Sequence, residues 1–391
     1  MTNPLSHQQN MPESNGKRIQ SIDFLRGVVM VLMAIDHVRV YSGMPAGGPT
    51  AGIFFTRWIT HFCVPAFVFF AGTSAFLYGQ KVNNNKQLSR YLFTRGLLLV
   101  VLELTLLRFC WTFNLNYADF MLAGVIWMLG WCMVLMSVCI WLSPKVNGII
   151  GLLIVVLQQC FRFVPEIPPQ QWQKSFDWFW AFIYPTGQEG HAGIAVLYVL
   201  VPWIGVMMLG YSFGMMMLME PAKRKKLCHW IGGISIALFI IIDIVMYLVN
   251  PGDDKRAVIF HLLDQQKYPP SQLYLLMTLG PLILLVPFAE KVNGKIAGVF
   301  TMFGRVPLFY YILHIPLIHL LALGVNFIRE GNFHQDWYGY APFTEIEKAH
   351  RWGLPLLYLV FIIVEVILYF ICRAYAKYKG NHPEKAWLKY I

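Results

Sequence analysis

Apolar runs of membrane-spanning length recur along the chain, parted by short polar segments, at about 22–41, 55–78, 90–111, 121–142, 147–163, 193–218, 228–249, 271–289, 299–324 and 354–377. A lipid core roughly 30 Å thick takes about 20 apolar residues per helix. Each run therefore reads as a crossing, and the pattern predicts about ten transmembrane helices. The polar stretch 1–17, rich in Ser, Asn and Gln, reads as a disordered cytoplasmic tail. The expected organisation is that tail, a transmembrane domain over 18–377 and a short cytoplasmic tail over 378–391. No run resembles a cleaved signal peptide, because the first is too long and too interrupted by charge. No internal repeat is evident, which weighs against the repeat-built transporter folds.

Composition fixes the class. With 57% hydrophobic and only 13% charged residues in 391, the chain is too apolar for a soluble domain, and the fold class expected is an all-α, polytopic integral membrane helix bundle. The net charge of +11 does not signal a nucleic-acid partner. Placing both termini inside puts most of the 31 basic residues in inner segments, as the positive-inside rule requires, so the topology expected is N-in and C-in across a bacterial cytoplasmic (inner) membrane. The run Lys223 to Lys226 fits the same rule, or a contact with lipid headgroups. The seven cysteines form no CxxC pair and read as packing residues rather than a disulfide or zinc framework.

Ionisable side chains at membrane depth are costly and are the natural carriers of chemistry. They are Asp23, Arg26, Asp36 and His37 in the first predicted helix, His61 in the second, Glu103 in the third, Asp243 in the seventh, His314 and His319 in the ninth and Glu365 in the tenth. At about 100° per residue, Asp23, Arg26, Met30, Met33 and His37 form one stripe, with His37 roughly 16 Å further out than Arg26. Asp36 points to the side, toward a partner such as Arg57. The second helix runs inward, which puts Arg57 at its mouth and His61 one turn deeper, level with His37. Pro65 denies the His61 carbonyl its helical bond and favours a kink there. In the ninth helix Tyr310 and His314 lie one turn apart in the outer half. Three histidines thus converge in depth, although each alone also suits a structural bond between helices. No carboxylate completes a metal-ligand spacing beside them, so no metal is expected. Glu103, Asp243 and Glu365 read as interhelical polar contacts, and Gly72, Thr73 and Ser74 as close-packing residues.

Three blocks carry a family resemblance: Arg18, Ser21, Ile22, Asp23, Phe24, Leu25, Arg26, Gly27 with Met33, Asp36 and His37; the run from Arg57 to Gly72, RWITHFCVPAFVFFAG; and the run from Gly304 to His314, GRVPLFYYILH. Their order and the helix count resemble the heparan-alpha-glucosaminide N-acetyltransferase-like family of transmembrane acyltransferases. The resemblance implies an enzyme that takes an acyl group, usually acetyl, from cytoplasmic acyl-CoA and delivers it to a sugar amine or hydroxyl on the far side. As the resemblance aligns them, the lysosomal enzyme has Asn in place of His37 and its catalytic His in the following loop; here that loop, Ser42 to Phe54, has no histidine.

The reading expected on both grounds is an acyl-CoA-dependent membrane acyltransferase acting on an envelope glycan. His37 or His61, with Asp36, would serve in catalysis, because a neutral imidazole titrates near working pH. Arg57, Tyr310 and His314 would hold the acceptor, and Asp23, Arg26, Arg90, Arg95 and Arg305 the CoA end. The partners expected are membrane lipids, acyl-CoA (acetyl-CoA above all) and a sugar or glycan acceptor, with homodimerisation open and no nucleic acid. The rival class is a small-solute transporter lined by the same buried polar residues; a structural or regulatory subunit leaves their cost unexplained.

Overall fold

The computed structural model describes residues 19–47, 50–185, 193–250 and 257–390. The expected N-terminal tail and Arg18 lie outside them. In chain order the helices are α1 (Gln20–Tyr41), α2 (Ala51–Trp58), α3 (Cys63–Val82), α4 (Asn85–Leu102), α5 (Arg108–Thr112), α6 (Val125–Cys139), α7 (Pro144–Val156), α8 (Gln170–Trp180), α9 (Trp203–Met217), α10 (Pro221–Val249), α11 (Val258–Leu263), α12 (Gln272–Ala289), α13 (Lys295–Arg305), α14 (Pro307–Glu330) and α15 (Leu354–Asn381). Two three-residue strands, β1 (Met121–Ala123) and β2 (Ile194–Val196), pair in parallel with Met121 opposite Ile194. The fold is otherwise all-α.

Local sequence sets the helix ends. Asn84, Ser143 and Ser271 each accept a backbone N–H from the first turn of α4, α7 and α12, meeting donors that would otherwise be orphaned. Pro144, Pro221 and Pro307 stand in the first turns of α7, α10 and α14, where a missing N–H costs nothing. Gly331, at φ 71°, closes α14 in the left-handed conformation that glycine adopts without penalty.

Five helices among the described residues are long and apolar enough to cross a membrane, or six if α7 and the bent segment Gln158–Glu166 form one broken span; α6 and α9 are shorter apolar helices. The chain is a polytopic membrane protein. Every run expected to span contains a helix, but several boundaries shift. The run 299–324 is two helices: α13 packs on α1 in the opposite sense, Gly27 meeting Phe300 and Gly304 meeting Asp23, whereas α14 follows α1 in the same sense, His314 beside His37 and His319 beside Tyr41. The chain changes direction at Val306, where Pro307 begins a new helix. The runs 121–142 and 193–218 open as the paired strands and become helical only at Val125 and Trp203.

Glycines seat the helices against one another. A Cβ on Gly72 would lie 2.0 Å from the Met207 carbonyl oxygen, and one on Gly210 would lie 1.9 Å from that of Phe69, so α3 and α9 touch backbone to backbone. Thr73 Oγ1 adds a bond to the Gly210 carbonyl at 3.0 Å. Gly27 and Gly304 do the same for α1 and α13, at 1.7 and 1.8 Å. Without a hydrophobic drive between helices in lipid, this close packing is what holds them together. The α1 helix ends up surrounded by α3, α12, α13, α14 and α15, which makes its polar stripe the centre of the molecule.

Candidate active site

The polar end of α1 meets α14. His37 Nδ1 lies 2.6 Å from His314 Nε2, with the rings stacked at 4.8 Å. The other ring nitrogen of His314, Nδ1, sits 2.7 Å from the Tyr311 carbonyl and 3.2 Å from that of Tyr310. Carbonyl oxygens only accept, so His314 carries its proton on Nδ1 and offers a lone pair at Nε2. In the neutral pair His37 then donates from Nδ1, and its lone pair lies on Nε2. That nitrogen has no hydrogen bond among the described residues, and His37 is half-buried whereas His314 is fully buried. Trp111, at the end of the α4–α5 run, sets its ring edge against His37 at 4.9 Å.

Beside the pair lies a charged cluster. Asp36 Oδ1 accepts from Arg39 Nε at 2.8 Å, and its Oδ2 is 3.9 Å from Lys267 Nζ. Arg39 also donates to the Met44 carbonyl. Asp36 does not pair with Arg57, the partner that its position on the helix suggests, but within its own helix, one turn on, and with a lysine from the segment before α12. Arg57 is half-buried at the mouth of the second apolar run.

His61 occupies the turn of tighter helix, Ile59–Phe62, that joins α2 to α3. Pro65 supplies no N–H to the His61 carbonyl, and the Tyr274 hydroxyl from α12 takes its place at 2.7 Å. The His61 ring is buried, faces Tyr274 at 5.4 Å and has neither nitrogen hydrogen-bonded among the described residues. Asp36, Lys267 and Arg39 act electrostatically on His61, and the same three act on His37. The expected convergence thus resolves into one bonded pair, His37 and His314, with His61 outside that pair but under the influence of the same charged cluster.

Tyr310 stacks on His314 at 5.4 Å and donates its hydroxyl to the Glu365 carboxylate of α15, so Glu365 makes the interhelical contact anticipated for it. Asp243 accepts from Gln265 at 3.0 Å, joining α10 to the segment after α11. Glu103 opens a π-helical turn, Glu103–Leu107, and its carboxylate receives the N–H groups of Gly124 and Ile126 at the start of α6. His319 bonds Gln335 Oε1 at 3.1 Å and stacks on Phe113, locking α14 to α5.

The residues assigned to CoA occupy two places. At the other end of α1, Asp23 is buried with Arg305 Nε 4.0 Å away, while Arg26 donates to the Phe70 carbonyl at 2.5 Å. Arg90 and Arg95 lie on α4, Arg90 exposed and Arg95 on the Tyr91 hydroxyl. Among the described residues no group of three His, Cys, Asp or Glu side chains is placed to hold a metal. Sequence reasoning missed Lys267, Trp111 and Tyr274. Lys267 counts in the sequence as one more outer-loop charge, yet it is only 6% exposed; its flanking Tyr268-Pro269-Pro270 was the available sign of an ordered segment.

The family model for the catalytic region of heparan-alpha-glucosaminide N-acetyltransferase matches residues 18–250, more than half of the chain. The chain belongs to the heparan-alpha-glucosaminide N-acetyltransferase family. It is therefore a membrane-bound acetyltransferase by family, and the family uses acetyl-CoA. A search of curated proteins finds no match. Within the matched span fall Asp36, His37, Arg57 and His61; His314, Tyr310 and Lys267 lie beyond it.

Proposed function

We propose that the protein crosses the bacterial inner membrane about ten times with both termini inside, and transfers an acetyl group from cytoplasmic acetyl-CoA to the amine or hydroxyl of an extracytoplasmic sugar. The observation that carries the reading is the hydrogen bond from His37 to His314. It leaves a half-buried imidazole with its lone pair on Nε2, fixed by a second ring that is itself anchored on a backbone carbonyl. This is the arrangement a general base needs: an oriented ring, one tautomer and a nearby neutral group to receive the hydrogen bond when the ring becomes charged.

In the proposed reaction His37 Nε2 takes the proton of the acceptor as the acceptor atom bonds to the acetyl carbon. The carbon–sulfur bond to CoA then breaks, and the thiolate leaves to be protonated. His314 orients His37, since both of its own nitrogens are engaged. His61, buried without hydrogen bonds of its own, is the second group poised to act on an acceptor. Arg305, paired with Asp23, and Arg90 with Arg95 would meet the phosphates of CoA at the inner face through their guanidinium groups.

The test is reconstitution in liposomes with acetyl-CoA on one side and glucosamine on the other. The proposal expects N-acetylglucosamine to form with consumption of acetyl-CoA. Glucosamine flux without acetyl-CoA consumption would mean a transporter instead.

A further inference from the structure

Next to the charged cluster is a cavity of about 110 Å³ between β2 and the segment 267–270, lined among the described residues by Tyr198, Trp203, Lys267 and Tyr268 with apolar neighbours. Its polar groups are lopsided. Lys267 Nζ carries only donors, and the Asp36 carboxylate it approaches at 3.9 Å is already bonded to Arg39 at 2.8 Å, so two cations share one carboxylate. Trp203 is fully buried and its Nε1, also a donor only, has no hydrogen-bond partner among the described residues. The Tyr198 and Tyr268 hydroxyls bond each other at 3.2 Å, which leaves one of their two protons to give. Buried donors without acceptors, beside uncompensated positive charge, are costly unless an anion meets them.

We propose that this cavity binds one acidic group, a phosphate or carboxylate, and that the group belongs to the sugar acceptor. The proposal rests on the acyl-transfer reading and specifies its substrate class: an amino sugar bearing an acidic substituent. A volume of about 110 Å³ suits one such group and is too small for a nucleotide. Lys267, which lines the cavity, also approaches Asp36 at 3.9 Å, and the next residue, His37, is the proposed base, so a sugar held by its acidic group on Lys267 would present its other end to that base.

The experiment uses the full-length protein in nanodiscs. One arm follows thermal unfolding with inorganic phosphate against chloride at equal ionic strength. Stabilisation by phosphate is expected in the wild type and lost in Lys267→Met. The second arm compares kcat/KM for glucosamine 6-phosphate and glucosamine with acetyl-CoA. The acidic sugar is expected to be preferred on the order of tenfold or more, the scale of a charge-assisted hydrogen bond. Lys267→Met should bring the ratio near one, Lys267→Arg should keep most of it, and Trp203→Phe, which keeps the ring's bulk but loses the N–H, should lower it several-fold. Equal kcat/KM for the two sugars in the wild type would overturn the proposal and leave acyl transfer standing. A Lys267→Met effect confined to the KM for acetyl-CoA would assign the anion to CoA and overturn it as well. Phosphate stabilisation dependent on Lys267, with no transfer to either sugar, would sustain the anion site and bring down the acyl-transfer reading beneath it.

Discussion

Replacing His314 by Ala removes the acceptor that holds His37. The half-buried His37 would lose, at Nδ1–H, a fully buried partner 2.6 Å away. Leaving a buried donor unpaired costs about 1–3 kcal/mol. If that cost falls on the reacting arrangement, at about 1.4 kcal/mol per tenfold it lowers kcat roughly 5- to 150-fold. Freed of its partner, His37 can also shift its proton to Nε2 and present a donor where a base is needed, which pushes the loss toward the upper end. His314→Gln should recover part of it, since the amide oxygen can accept. The assay is acetyl transfer from labelled acetyl-CoA at saturating acceptor, with thermal unfolding in the same detergent as the control for folding. Because His314 acts through His37, the double variant His37→Ala/His314→Ala should be no slower than His37→Ala alone. If the two losses multiply, or if His314→Ala keeps full kcat, the orienting role assigned to His314 is wrong.

Three further outcomes follow from the packing. Tyr274→Phe leaves the His61 carbonyl without its donor and should lower stability by about 1–3 kcal/mol; adding Pro65→Ala restores a helical N–H and should regain part of the loss in the same melting experiment. Gly27→Ala, whose Cβ would lie 1.7 Å from the Phe300 oxygen, should destabilise by at least about 1–3 kcal/mol, while Gly233→Ala, with nothing within 4 Å, should leave the melting temperature unchanged or raised. Glu103→Ala strips the acceptor from the first N–H groups of α6 and should cost about 0.5–2 kcal/mol, the range for a lost helix cap, read by thermal unfolding.

The membrane class was legible because apolar periodicity over whole helices is a summed signal, and every expected run does hold a helix. The breaks were not, since hydropathy is continuous through them. Val306-Pro307 interrupts one apolar run, and only the proline at the start of α14 marks the turn; Pro202 stands likewise just before α9, where the chain stops being extended. The site was legible in part. Helical spacing and depth put His37 and His314 at the same level, and their bond follows from that once α14 runs alongside α1. Pro65 announced the free carbonyl at His61 but not that Tyr274, 213 residues away in sequence, would fill it. Asp36 and Lys267 could not be paired from the sequence, since a loop residue carries no period that fixes its direction.

His37 is the proposed base of the acetyl transfer. The most direct test of that role is the rate of acetylated amino-sugar formation from acetyl-CoA by the purified protein, wild type against His37→Ala, with unfolding temperature matched. Product is expected from the wild type, with a loss of at least about 100-fold in kcat in the variant, the scale of general-base catalysis. Product formed at the wild-type rate by a folded His37→Ala protein would contradict that role.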